Sequence, residues 1–196
     1  RREIILATKV WVQDTGYEAT LNAFERSLEN LGTDYIDIYL IHQPYGDYYG
    51  SWRAMEQLYE QGKVKVIGVC NFCAERLLDL CLNAKISPMI DQVELHPFFQ
   101  QKRLRATLPK GCRIEAWGPL NEGQRNIFAN PALERIARKH HKTTAQVILR
   151  WHYQQDILAI PRSGRDDHQK ENLDIFDFEL DQEDFQAINA LDLGYS

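Results

Sequence analysis

Polar side chains stand at the ends of apolar runs throughout this sequence. Lys9 follows IILAT, His42 follows YIDIYLI, Asn71 follows KVIGVC, Glu94 and His96 fall within VELHP, Trp117 closes RIEAW, and Arg162 with Ser163 follows ILAIP. A lysine among apolar and β-branched residues carries an amine whose charge is disfavoured by desolvation unless a carboxylate compensates, a state suited to acid–base chemistry. A histidine after so apolar a strand, just before the turn-forming Pro44, is a second candidate for proton handling. Taken singly, each residue leaves a plainer reading open: Lys9 snorkelling to the strand end, His42 packed on backbone.

Two other patterns suggest metal or redox chemistry. Cys70-x-x-Cys73 has the spacing of a zinc or dithiol site. It has no second CxxC partner, and we expect no metal. His96 and the pair His140-His141 have no Cys or carboxylate at ligand spacing and read as surface or turn histidines.

The elements that must position these residues alternate. Strands are expected at 4–10, 35–41, 65–70, 89–95, 113–117 and 157–160, with helical patterns at 17–30, 51–61, 74–83, 101–107 and 131–155. The last helix should break near Lys142, because HHKT interrupts the period and Thr143 can cap a new helix. A tail with helices at about 167–172 and 181–191 follows. Strand starts fall about 31 residues apart, and eight such units make the roughly 250 residues of a (β/α)8 barrel. Six are present. The expected fold class is therefore α/β: a (β/α)8 TIM barrel, of which this chain holds six βα units. An open doubly wound sheet is the rival, but its outer strands would lie roughly 24 Å apart, too far to share one small ligand. It should also carry a glycine-rich turn after its first strand, and ATKVWVQD has none.

Composition limits the function. Of the 196 residues, 44% are hydrophobic and 26% charged, so one domain spanning 1–196 with a sizeable core is expected and disorder is excluded. A net charge of -5 without a long Lys/Arg block is a poor match for nucleic acid or anionic lipid. No apolar run approaches the roughly 20 residues of a membrane span. Four cysteines in a chain this long do not make a disulfide scaffold, so a cytoplasmic setting is expected. Arg1, without an initiator Met or leader, reads as a cut end.

The segments ATKVW, GTDYIDIYLIHQP, GKVKVIGVCNF, DQVELHP, EAWGPL, KTTAQVILRW, IPRSGRDDHQKEN and IFDFEL, in this order, resemble the aldo-keto reductases. They are similar especially to the bacterial 2,5-diketo-gluconate reductase-like branch. The resemblance implies a (β/α)8 barrel that binds NADPH, with NADH as the alternative, and reduces carbonyls through an Asp-Tyr-Lys-His tetrad. Lys9 matches the tetrad lysine and His42 the tetrad histidine. The Asp and Tyr belong to the first two βα units, which the resemblance implies are absent here, along with a C-terminal substrate loop. Asn71 and Gln92 would hold the nicotinamide carboxamide, and Trp117 would stack on its ring. Leu120, Arg162, Ser163, His168, Glu171 and Asn172 would serve the rest of the cofactor, with Arg162 and Ser163 placed for a ribose 2′-phosphate.

Trp11, Tyr45, Tyr48, Tyr49 and Trp52 would line the barrel mouth, with Trp11, Tyr48 and Tyr49 as the substrate contacts. Gln43, in a place often held by tryptophan, points to a polar substrate such as a sugar-derived keto acid. Other departures from the family pattern are Cys70 for a serine, Asp91 for an asparagine, Gly118 for a serine and His168 for an arginine. The expected partner is a small carbonyl compound, and the expected state a monomer or weak homo-oligomer. Two rival readings remain: a non-catalytic, redox-sensing NAD(P)H-binding subunit, and a barrel hydrolase using Glu94 or Asp91 with His96.

Overall fold

The computed structural model describes residues 1 and 3–195. Six strands, β1 (Ala7–Val10), β2 (Ile36–Ile41), β3 (Val64–Cys70), β4 (Ile90–Glu94), β5 (Arg113–Trp117) and β6 (Leu158–Ala159), form one sheet in chain order. The registered pairs are parallel. Among the described residues eight α-helices accompany them: α1 (Tyr17–Leu31), α2 (Tyr48–Glu60), α3 (Ala74–Asn83), α4 (Lys102–Ala106), α5 (Pro131–His140), α6 (Thr144–Tyr153), α7 (Asp166–Leu173) and α8 (Gln182–Asn189). The chain divides into two compact units, one of Arg1–Gln92 with Ala106–Arg113, the other of Val93–Arg105 with the chain from Ile114 onward.

In the first unit, register decides which side chains share a face. Lys9 lies opposite Leu40, Leu40 opposite Gly68, and Gly68 opposite Ile90. Because strand side chains alternate with period two, these positions point the same way, as do Cys70 and Gln92 two residues further on. His42 extends the ladder, its N–H donating to the Val10 carbonyl at 3.1 Å. On this face Leu40, Cys70 and Ile90 form a buried cluster with Ile38 and Val66 packed against it. The opposite face presents Tyr39 to α1, where Phe24 meets its ring edge-on at 5.3 Å.

In the second unit, local chemistry fixes the helix boundaries. The Asn130 side chain accepts the N–H groups of Ala132 and Leu133 at 3.0 and 3.3 Å, starting α5. The helix ends at His141 in the left-handed region, and Thr143 opens α6 with a reciprocal capping box to Gln146. Such caps satisfy backbone donors that a helix start otherwise leaves bare. The break expected near Lys142 is therefore real.

Several boundaries differ from the sequence reading, three of them with clear local causes or consequences. β1 starts at Ala7 rather than Ile4: Leu6 gives its carbonyl to Asp37 and Ile38, while Ile4 and Ile5 stay exposed. Glu94 ends β4, leaving Leu95 outside. α2 begins at Tyr48 rather than Ser51, because the Asp47 carboxylate accepts the Gly50 N–H at 2.8 Å and caps a turn that a sequence of Tyr, Tyr and Gly does not advertise.

Gly68 is the tightest point of the inner row. A Cβ there would lie 2.5 Å from the Ile90 carbonyl oxygen and 2.8 Å from Leu40 Cδ2. Gly68→Ala should therefore destabilise the protein by about 1–3 kcal/mol, read as a lower urea midpoint with unchanged slope. An unaltered midpoint would contradict this packing.

Candidate functional site

At the exits of β1 to β4 the expected residues of the first unit come together. Lys9 is half-buried one residue before the end of β1, and no hydrogen bond or ion pair engages its amine among the described residues. His42, also half-buried, has its titration pushed below the ordinary 6.5 by burial and, second, by the neighbouring Lys9 charge. A neutral imidazole beside the Lys9 amine is the result. Trp11 closes one side, its ring edge-on to His42 with centroids 4.8 Å apart.

Asn71 connects three strand ends. It adopts a left-handed φ of 61° directly after β3, a conformation asparagine tolerates better than most residues. Its backbone N–H donates to the Gln92 carbonyl at 2.9 Å, and its side-chain amide donates to the His42 carbonyl at 3.3 Å. Gln92 is buried, on the inner face. The two side-chain amides thus lie at β3 and β4, β3 adjoining the strand that ends at His42.

The second unit holds a separate cavity of about 1040 Å³. Leu120, Arg162, Ser163, His168, Glu171 and Asn172 line it, six residues that the sequence reading had grouped. Arg162 is exposed and unpaired among the described residues. Ser163 Oγ accepts the Arg165 N–H at 3.1 Å, shaping the loop that leads into α7. Glu171 bonds the Thr143 hydroxyl. Trp117 is half-buried at the end of β5, its carbonyl held by the Leu95 N–H at 3.3 Å. Arg138 and Lys142 also line the cavity, which the sequence reading missed; Lys142 is engaged by Asp174 and Asp177, each at 2.8 Å. Their position at the end of α5, with cations in its last turn, was the available signal.

Other expectations need correction. Tyr48 and Tyr49 occupy the first turn of α2 rather than a loop: their rings stack at 4.6 Å, Tyr48 meets Phe72 edge-on, and the Tyr49 hydroxyl bonds Asp79 of α3. Trp52 is core, 1% exposed, with its indole N–H on the Ile86 carbonyl at 3.0 Å. His96 is not at the surface. It is 2% exposed, with Nε2 3.2 Å from Glu94 and Nδ1 accepting the Phe98 N–H. With both ring nitrogens committed, it is a poor general base, which removes the basis of the hydrolase reading. His140 does have a carboxylate partner, Asp184 at 2.7 Å. The four cysteines are free thiols, Cys70 buried and Cys73 exposed, and no His/Cys/Asp/Glu cluster among the described residues could hold a metal ion.

Comparison with known proteins adds independent findings. The model of the Aldo/keto reductase family matches residues 1–193. A glyoxal reductase from Bacillus subtilis (strain 168) is 50% identical over 193 residues, covering 97% of this chain and 69% of the relative. An aldo-keto reductase from a Medee basin deep-sea metagenome library superposes with a TM-score of 0.96 at 44% identity, over 99% of this chain and 74% of that one. A Gox0644 mutant solved in complex with NADPH gives a TM-score of 0.93 at 42% identity, over 97% and 71%.

The charge relation between Lys9 and His42 can be measured. Lys9→Met should move the His42 imidazole titration, followed by NMR, upward but still short of 6.5, since burial is the larger cause. An unshifted titration would mean that the two side chains do not interact.

Proposed function

The chain belongs to the aldo/keto reductase family, and on that footing we propose that it reduces aldehyde and ketone carbonyls to alcohols with NAD(P)H. Its six βα units are those of a (β/α)8 barrel. In our reading, the first two βα units and the C-terminal substrate loop belong to the part of the relatives' length that this chain does not span. The observation that carries the proposal is Lys9 beside a neutral His42 on the strand face that also bears the amide of Gln92.

The residues present suit a nicotinamide dinucleotide. Carboxamide recognition requires both a donor and an acceptor, which the side-chain amides of Asn71 and Gln92 each supply. Trp117 offers a face for ring stacking. The cavity of the second unit has the volume and the donors for the adenosine end, and the unpaired Arg162 with Ser163 and His168 suits a 2′-phosphate. This favours NADPH, with NADH as a secondary donor. Leu120, Glu171 and Asn172 complete that wall.

When bound, the reduced cofactor supplies the hydride. His42, held neutral, donates a hydrogen bond to the substrate oxygen and fixes its angle. The proton comes from a tyrosine hydroxyl, which we place in the part of the relatives' length that this chain does not span. A phenol with an ordinary pKa near 10 is too weak an acid alone. The Lys9 ammonium stabilises the phenolate left behind. Trp11 walls the substrate side, and Gln43 favours polar carbonyls: small dicarbonyl aldehydes such as glyoxal, or sugar-derived keto acids. The four free thiols support a cytoplasmic setting, and no described helix is long and apolar enough to cross a membrane.

Loss of NADPH absorbance with glyoxal tests the reading. In the complete protein, Lys9→Met should lower kcat roughly 10²- to 10⁴-fold while the KM for NADPH changes little. Undiminished turnover would contradict the assigned role. Arg162→Ala should weaken NADPH binding by roughly ten- to a hundredfold, the scale of one hydrogen bond to a charged group, and NADH binding much less. Equal losses for the two cofactors would place Arg162 away from the 2′-phosphate.

A further inference from the structure

Asp91 is a buried acid that the reduction mechanism does not use. It lies in β4 directly before Gln92, in register with Val69 of β3, and is 0% exposed. By strand alternation its side chain faces away from that of Gln92, toward the side of Tyr39 and Val69. Neither carboxyl oxygen has a hydrogen bond of normal geometry. From the turn after β3 the polar group facing it is the Phe72 N–H. The titratable group beside it is a thiol, Cys112 from the segment preceding β5, itself next to Cys81 of α3. No charged side chain faces it among the described residues.

A carboxylate in such a place would carry a full charge with no counter-ion among the described residues, so the neutral acid is the form the fold can hold. Burial accordingly pushes Asp91 up to about 8. Its location links that proton to the site. Phe72 follows Asn71, whose N–H is bonded to the Gln92 carbonyl at 2.9 Å. Asp91 therefore lies behind the junction that sets the spacing of the two amides.

We propose that Asp91 is a positioning residue that works as the neutral acid: protonated, it lets β4 lie against the Asn71–Phe72 turn and holds the Asn71 and Gln92 amides for the nicotinamide carboxamide. Ionisation draws in water or displaces the turn, and the pair loosens. The inference rests on the reading in which these amides hold the cofactor.

Asp91→Asn keeps the shape and cannot ionise. NADPH affinity by fluorescence quenching, and thermal stability without cofactor, are to be followed in both proteins across the range from about pH 4 to about pH 9.5. Wild-type affinity should fall several-fold as pH rises through about 8, while the variant stays level. The stability sign follows from linkage. The folded state keeps a proton that the unfolded chain has already released, so wild-type stability declines relative to the variant from about pH 4 upward and stops diverging above about pH 8.

Matching profiles in both assays overturn the proposal. Divergent stability with identical affinity profiles also overturns it, since Asp91 is then a buried acid without a positioning role. Absence of NADPH binding in both proteins at neutral pH defeats the reductase reading itself and this proposal with it, and the stability arm still reports whether Asp91 is neutral. Should the variant fail to fold, the infrared carbonyl band of a protonated carboxyl group in wild type decides: present at neutral pH and lost by about pH 9.5 supports the proposal, and absent at neutral pH overturns it.

Discussion

The pairing of β1 with β2 is the constraint on which the candidate chemistry depends. With Lys9 opposite Leu40 and the His42 N–H on the Val10 carbonyl, the amine and the imidazole emerge on one face. A slip of one residue would turn Lys9 to the other side of the sheet and replace it with a neighbour. Gly68 protects the same register further along, because the inner row at β3 and β4 leaves no room for a side chain there.

The first unit treats charge differently at the two ends of its strands. At the start of β2, Asp37 is satisfied by Arg1 and Lys65, each at 2.7 Å, and by the Leu6 N–H, which together hold it far below the usual carboxylate range. At the strand exits, Lys9 has no counter-ion among the described residues, and burial, then the Lys9 charge, keeps His42 neutral. In a (β/α)8 barrel the first end serves stability and the second serves function. Asp91 extends the theme: placed behind the exits with no cation, it favours its proton over its charge.

The parts of this arrangement that were legible in the sequence have local causes. β5, α3 and the start of α6 follow from apolar runs and caps that act within a few residues, as Thr143 with Gln146 shows. The second-unit cavity was legible only through ordered segment resemblance, since Arg162, Ser163 and His168 look like an ordinary solvated helix start when read alone. What stayed hidden depends on contacts distant in sequence. Nothing near Tyr49 announces Asp79, nothing near His140 announces Asp184, and the burial of His96 comes from packing rather than from VELHP. Asp91 was visible as a departure from the family pattern, but its lack of a partner required coordinates.

The central claim is that the strand exits bearing Lys9, His42, Asn71 and Gln92 receive the nicotinamide. NMR of the complete protein titrated with NADP⁺ measures this directly through the side-chain amide signals of Asn71 and Gln92 and the imidazole of His42. The account predicts that all three respond together, saturating at one cofactor concentration. Saturable NADP⁺ binding that leaves these three side chains unmoved would contradict it.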